Sequence, residues 1–307
     1  MQISTGLLFD RASTQMSNLQ NELTRSQAQI ASQKQVLQPS DAPDQSAAIS
    51  RLKSIIGRQD SFASNISTAQ TRLSLEDSTL GNANNALVKI KELTIMAAND
   101  TLDPASRKAI ANEMQAMRDQ LLSLANSQDT NGNYIFSGSK TKTPAFQTGA
   151  DGTVSYQGDQ ARTEIAVGER TTTAMNRPGP SAFVRVVRPT DDGSSQGIGF
   201  FQALDDLIGS VKTYNASNVQ RGLEEVDKLS EGVTLAQADV GTNLNVLDQQ
   251  SSILTDTKLT LKTALSSSED VDYAGAISKM NLQLTAMQAA QASFSKISQL
   301  SLFNYLK

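Results

Sequence analysis

Near the start of the chain, Ala12, Met16, Leu19, Leu23, Ser26, Ile30 and Gln33 recur in alternating steps of four and three. Near the end, Tyr273, Ile277, Met280, Leu284, Met287, Gln291, Phe294 and Ser298 repeat the same rhythm. This spacing holds a stripe on one side of a helix and is the pattern of a coiled-coil seam, so each end needs a helical partner along most of its length. The simplest arrangement pairs the two ends. The predicted assembly seam is therefore Met16, Leu19, Leu23 and Ile30 on the first helix, with Ile277, Met280, Leu284, Met287 and Phe294 on the last.

Between these ends the pattern predicts further long helices. The first runs from about Thr5 to Lys34, a rod of roughly 45 Å at 1.5 Å per residue. The segment LQPSDAPDQSAA then breaks it, with Ser40 and Asp41 as candidate caps and Pro43 at a helix start, where its missing N–H costs nothing. A second ladder follows through Leu52, Ile55, Gln59, Phe62, Ile66, Ala69, Leu73, Glu76, Leu80, Ala83, Leu87 and Ile90, ending near Asn99 and Asp100. Pro104 opens a third helix with Ile110, Met114, Met117, Leu121 and Leu124 on one face. From Gln220 to about Ser266 the stripe resumes through Leu223, Val226, Leu229, Val233, Ala236, Val240, Leu247, Leu254, Leu261 and Leu265, with Gly241 predicted to mark a local irregularity.

The stretch 131–199 loses this periodicity and gains Gly, Thr and Pro. The short runs NYIF, TVSYQG, RTEIAVG and FVRVV read as strands between turn-prone segments. The fold class that results is mainly α with an inserted β domain: a long antiparallel helical bundle whose N- and C-terminal coiled-coil helices are brought together. The expected divisions are 1–40 with 270–307 as a terminal coiled-coil assembly region, 41–130 with 200–269 as a helical core, and 131–199 as a β-rich outer insert.

Composition then removes whole classes of chemistry. Among 307 residues there is no cysteine and no histidine, so thiolate chemistry, disulfides and histidine-based catalysis or metal binding are excluded. With 27 basic and 31 acidic residues, a formal charge of -4 offers no strong attraction to nucleic acid or to anionic lipid. No apolar run reaches the length of about 20 residues that a membrane span requires, and the opening MQISTGLLFDRAST lacks the pattern of a cleaved signal peptide. Membrane insertion is not expected, and neither is any cofactor.

Candidate catalytic carboxylates are Asp191 with Asp192 and Asp205 with Asp206. The first pair lies in Gly/Ser-rich sequence, and the second suits the first turn of a helix better than a sugar-cleaving site. Asp129, Asn131 and Asn133 imitate the start of a calcium loop but lack its distal glutamate, so a turn is predicted. Met114, Met117, Met280 and Met287 stand at helical spacing and are expected in core or seam positions. The apolar tail LSLFNYLK has too little adjoining sequence to bury itself, which implies neighbours. The reading is of a structural subunit and not of an enzyme.

Several segments carry a more specific likeness. The opening MQISTGLLFDRASTQMSNLQNEL, then QPSDAPDQSAA, the long stretch TRLSLEDSTLGNANNALVKIKELTIMAANDTLDPASRKAIANEMQAMRDQLLSLANS and the closing DYAGAISKMNLQLTAMQAAQASFSKISQLSLFNYL all resemble the flagellin and hook-associated protein family. NGNYIFSGSKTKTPAF resembles that family's passage from helical core to outer domain and sets this chain apart from many filament flagellins. Ala42 departs from a second Asp often found there, and DVGTNLNVLD lacks the basic residue often found before its Gly.

The resemblance implies a structural subunit of the bacterial flagellum at the hook-filament junction, adapting the hook side to the flagellin filament. It implies export by the flagellar apparatus, with an export chaperone and without a cleaved signal, to an extracellular position. Implied partners are copies of itself in a ring, the first hook-associated junction protein on the hook side, and flagellin or the filament cap on the distal side. The alternatives are a small filament flagellin and, further off, an extracellular glycan-active enzyme or an adhesin.

Overall fold

The computed structural model describes residues 2–189 and 194–303; Asp191, Asp192 and the tail's last residues, 304–307, lie outside the described residues, as does the Ser298 side chain. The elements follow in the order α1 (Gln2–Ser32), α2 (Pro43–Ala97), α3 (Pro104–Ala125), β1 (Phe146–Thr148), β2 (Val154–Tyr156), β3 (Glu164–Ala166), β4 (Thr172–Ala174), α4 (Gly179–Ala182), β5 (Val186–Pro189), β6 (Ser195–Ile198), α5 (Phe200–Thr213), α6 (Ala216–Glu269) and α7 (Tyr273–Phe303). The protein is mainly helical, with a small central β region.

The chain forms two compact units, one of residues 1–59 and 255–307, the other of residues 60–254. In the second unit the predicted stripe of α2 is the buried one: Ile66, Ala69, Leu73, Glu76, Leu80, Ala83, Leu87 and Ile90 are each at most 2% exposed. It meets Ile110, Met114 and Leu121 of α3 and Val226, Leu229, Val233, Ala236, Val240 and Leu247 of α6 in one apolar core. The proline rule holds at the start of α3. Asp103 caps it, accepting the N–H groups of Ala105 at 2.8 Å and Ser106 at 2.9 Å, and Pro104 takes the first helical position.

Glycine at 241 produces no irregularity, because α6 runs unbroken through it. Its neighbour Val240 is fully buried, and packing along a 54-residue helix outweighs the cost of about 1 kcal/mol that an interior glycine carries.

The segment 131–199 falls within the second unit. Among the described residues it contains three separate antiparallel hairpins, β1–β2, β3–β4 and β5–β6, not one sheet. NYIF is not a strand: Tyr134 makes an isolated bridge to Gln128, and Ile135 and Phe136 follow in a turn. Both side chains are buried all the same. A short apolar run is compatible with any buried conformation, which is why periodicity could not separate the two.

Two short pairs of hydrogen bonds tie the insert to the helices. Asn126, just past α3, imitates a strand partner, its Nδ2 donating to the Phe146 carbonyl at 2.8 Å and its Oδ1 accepting the Phe146 N–H at 2.9 Å. Arg177, before α4, reaches Glu76 of α2 at 3.1 Å and Asp239 of α6 at 3.3 Å. Around these anchors Phe136, Phe146 and Phe183 pack edge to face with Phe200 and Phe201 at the start of α5, with most ring centroids 5.1 to 5.4 Å apart.

Candidate assembly interface

Among the described residues, the candidate carboxylates are used in holding the second unit together. Asp205 takes a forked pair of bonds from Arg118, both 2.9 Å, and Asp206 accepts from Arg188 at 2.8 Å. Arg188 also forks onto Glu225 at 2.8 Å twice, and these bonds hold its guanidinium protonated beyond the ordinary range. Asp129 is a turn residue. Its Oδ1 accepts the N–H of Asn131 at 2.8 Å and of Asn133 at 2.9 Å, and Arg72 approaches its other oxygen at 3.3 Å. Among the described residues no cluster of acidic side chains could hold a metal ion, and no helix is long and apolar enough to cross a membrane.

What the first unit offers is a helical surface. Helices α1 and α7 lie antiparallel: Phe9 meets Phe294 with ring centroids 4.6 Å apart, and Ser26 meets Gln283 further along. On α1, Met16, Leu19 and Ile30 are half-buried and Leu23 is buried. On α7, Met280, Leu284, Met287 and Phe294 are half-buried, whereas Ile277 stays 44% exposed. One chain therefore covers only part of each stripe.

Helix α7 is apolar on more than one side. Leu282, off the predicted stripe, is 72% exposed, and Tyr273 and Ile277 at its start are also open. A helix that is hydrophobic around its circumference belongs in an interior. Across the unit, Leu7 and Phe9 of α1 and Leu259 of α6 add further exposed apolar side chains.

At the predicted helix-start turn, Pro43 is the first residue of α2 and Ser40 is exposed. Asp41 fastens the turn, accepting the Gln38 N–H at 3.1 Å, and pairs with Arg25 of α1 at 3.1 Å. Two features escaped sequence reasoning. Gln283 sits beside the stripe residue Leu284 and is 4% exposed, and its amide also donates to Glu22 at 3.2 Å. The signal was Ser26, a polar residue in an apolar stripe that needed a polar partner. Glu269, the last residue of α6, is 8% exposed and accepts both Lys34 and Lys53, a grouping that no short motif announces.

These features have known counterparts. Residues 3–141 match the bacterial flagellin N-terminal helical region and residues 223–306 the bacterial flagellin C-terminal helical region. Flagellar hook-associated protein 3 of Salmonella typhimurium is 30% identical over 316 residues, covering 99% of each chain. The protein of that name from Escherichia coli is 30% identical over 326 residues, covering 100% of each. In fold, the chain is similar to a putative flagellar hook-associated protein from Vibrio parahaemolyticus, with a TM-score of 0.67 and 22% identity over 75% of this chain and 100% of that one. Full-length likeness, the two matched helical regions and the half-covered terminal helices together establish that this chain belongs to the flagellin and flagellar hook-associated protein family.

Proposed function

We infer that the protein is a structural subunit of the hook-filament junction, extracellular in the assembled flagellum and without catalytic activity. The observation that carries this reading is the terminal pair, whose apolar surface a single chain leaves open at Ile277 and Leu282. An exposed apolar stripe on paired helices is costly for an isolated molecule and is resolved by neighbours that cover it. Likeness along the whole chain to two hook-associated proteins 3 supports the junction over the filament.

In this reading residues 1–40 and 270–307 form the assembly region, with Met16, Leu19, Leu23, Ile30, Ile277, Met280, Leu284, Met287 and Phe294 at its seams. Copies of the chain surround one another in a ring. The first junction protein lies on the hook side, and flagellin or the filament cap lies on the other. Export passes through the flagellar apparatus with a chaperone. Electron microscopy of the purified chain, alone and with the first junction protein and flagellin, tests the assignment. Short rings or caps that form only with those partners are expected. Long filaments made by the chain alone would identify a filament subunit instead.

A further inference from the structure

Residues 129–133, DTNGN, form the turn that leads from α3 into the β-rich stretch. The Asp129 carboxylate gathers the N–H groups of Asn131 and Asn133, and its backbone carbonyl accepts the Gly132 N–H at 2.9 Å. Gly132 takes a left-handed conformation, φ 72°, with no atom within 4 Å of the place a Cβ would occupy. Asn131 is exposed and is held through its backbone, its N–H donating to Asp129 and its carbonyl accepting Lys142 Nζ at 3.3 Å.

A side-chain amide without a hydrogen bond separates Asn131 from the other asparagines that the described residues place outside helices. Asn126 uses both ends of its amide on Phe146, and Asn176 uses both on Ala161 and Thr163. The Asn133 amide donates to Asp129, the Asn99 oxygen accepts from Thr101, and the Asn215 oxygen accepts the Asn218 N–H. Within helices the fixed backbone holds the next residue's nitrogen out of reach of the side-chain carbon. Asn131 is also the one asparagine in the chain followed by glycine, whose nitrogen no side chain shields.

We propose that Asn131 is a site of spontaneous covalent modification, deamidating through the Gly132 nitrogen. That nitrogen gives its proton to solvent base and bonds to Asn131 Cγ. The side-chain nitrogen takes up a proton and leaves as ammonia, closing a succinimide ring. Water then adds to either ring carbonyl and opens the ring to aspartate or isoaspartate, with no oxidant or reductant involved. The bond from the Gly132 N–H to the Asp129 carbonyl must open first, so the fold slows the step without blocking it, since exposed turns open locally at little cost. Both products add a negative charge, and isoaspartate also routes the main chain through the former side-chain methylene. This turn sets the bridge between Gln128 and Tyr134 and the bond from the Ile135 N–H to the Ser127 carbonyl at 3.0 Å. A lengthened backbone there loosens the root of the insert as the protein ages. The inference needs only this turn and stands whether the chain builds a junction or a filament.

The test incubates the full-length chain at neutral and at mildly alkaline pH and follows its peptides by mass spectrometry. Replacement of the side-chain NH2 by OH at position 131 is expected ahead of every other asparagine, faster at the higher pH, and lost in Asn131→Gln. Asp129→Ala, which releases the Asn131 and Asn133 N–H groups, is expected to speed it. In the isoaspartyl fraction, separated by chromatography, exchange of the Ile135 amide is expected to rise about tenfold over the unconverted chain. An Asn131 that stays intact, or converts no faster than the other asparagines, would overturn the site. An unchanged rate in Asp129→Ala would overturn control by the turn, and unchanged Ile135 exchange would overturn the loosening.

Discussion

The Ser26 hydroxyl of α1 donates to the Gln283 side-chain oxygen of α7 at 2.8 Å, with both residues at most 4% exposed. A polar pair inside an apolar seam contributes less to strength than to register, because a one-turn slip of either helix would strand both groups away from water. It is the point at which the two ends of this chain are matched most specifically.

Ser26→Ala should therefore weaken the pair by about 1 to 3 kcal/mol, the cost of leaving the Gln283 amide oxygen buried and unmatched. Ser26→Ala with Gln283→Leu should recover most of that loss. Hydrogen exchange of amides around residues 23–26 and 280–284 is the measurement, since fraying of the terminal pair need not register in global unfolding.

Leu23 and Leu284 are both central in their stripes but differ in burial, Leu23 being 7% exposed and Leu284 half-buried. Leu23→Asp places a carboxylate where an apolar side chain contributes roughly 1.5 to 3 kcal/mol by burial. It should open the α1–α7 pair in the free chain and block incorporation. Leu284→Asp should act more strongly on incorporation than on the free chain. Circular dichroism should show residues 60–254 still folded in both, with incorporation scored by electron microscopy.

Phe146 touches Tyr156, Phe183 and Phe201 and so joins the β1–β2 hairpin to α5. Phe146→Ala should destabilise the second unit by about 3 to 5 kcal/mol, the usual range for an aromatic removed from a core. Deleting residues 131–199 should expose Phe200 and Phe201, which are 3% and 2% exposed, and lower the cooperativity of helix melting. Chemical denaturation followed by helical signal measures both.

Two glutamates predict opposite responses to acid. Burial pushes the Glu76 carboxyl up, with Arg177 pulling the other way, so folding favours its protonated form. Its contribution therefore improves as pH falls below the raised folded value and worsens as pH rises through the window above the ordinary carboxylate range. Glu76→Gln should remove that dependence, and because it leaves the enclosed Arg177 without its buried carboxylate it should lower stability at neutral pH. Bonds from Lys34 and then Lys53 hold Glu269 below its ordinary value. Its contribution is complete above about pH 4.5 and is lost as pH falls through the lower folded value. Denaturation across pH 2 to 8, with local exchange at Gln35 and Val271, separates the two.

The long helices were legible because their burial repeats. Glu76 shows both the strength and the limit of that reading, since the ladder placed it inward but could not supply Arg177, which lies 101 residues away. The start of α3 was legible from Pro104, although the cap itself is Asp103. In the insert, TVSYQG, RTEIAVG and FVRVV were legible as strands and overlap β2, β3 and β5, whereas NYIF is not one and the pairing was not legible. Its short strands are two-stranded hairpins whose positions are set by Asn126, Arg177 and packed phenylalanines, all of them long-range relations with no period. At the interface, the stripes were readable while the pairing of Ser26 with Gln283 and the meeting of Lys34, Lys53 and Glu269 were not.

The most direct test of the assembly account places a photocrosslinking side chain at position 282, where Leu282 is 72% exposed on α7. In junctions assembled on flagella, irradiation should yield crosslinks from this position to neighbouring subunits, and in the dilute chain it should yield none between molecules. Failure to capture any neighbour in assembled junctions, with crosslinks confined to the same chain, would contradict the claim that the terminal helices present the surface on which the structure is built.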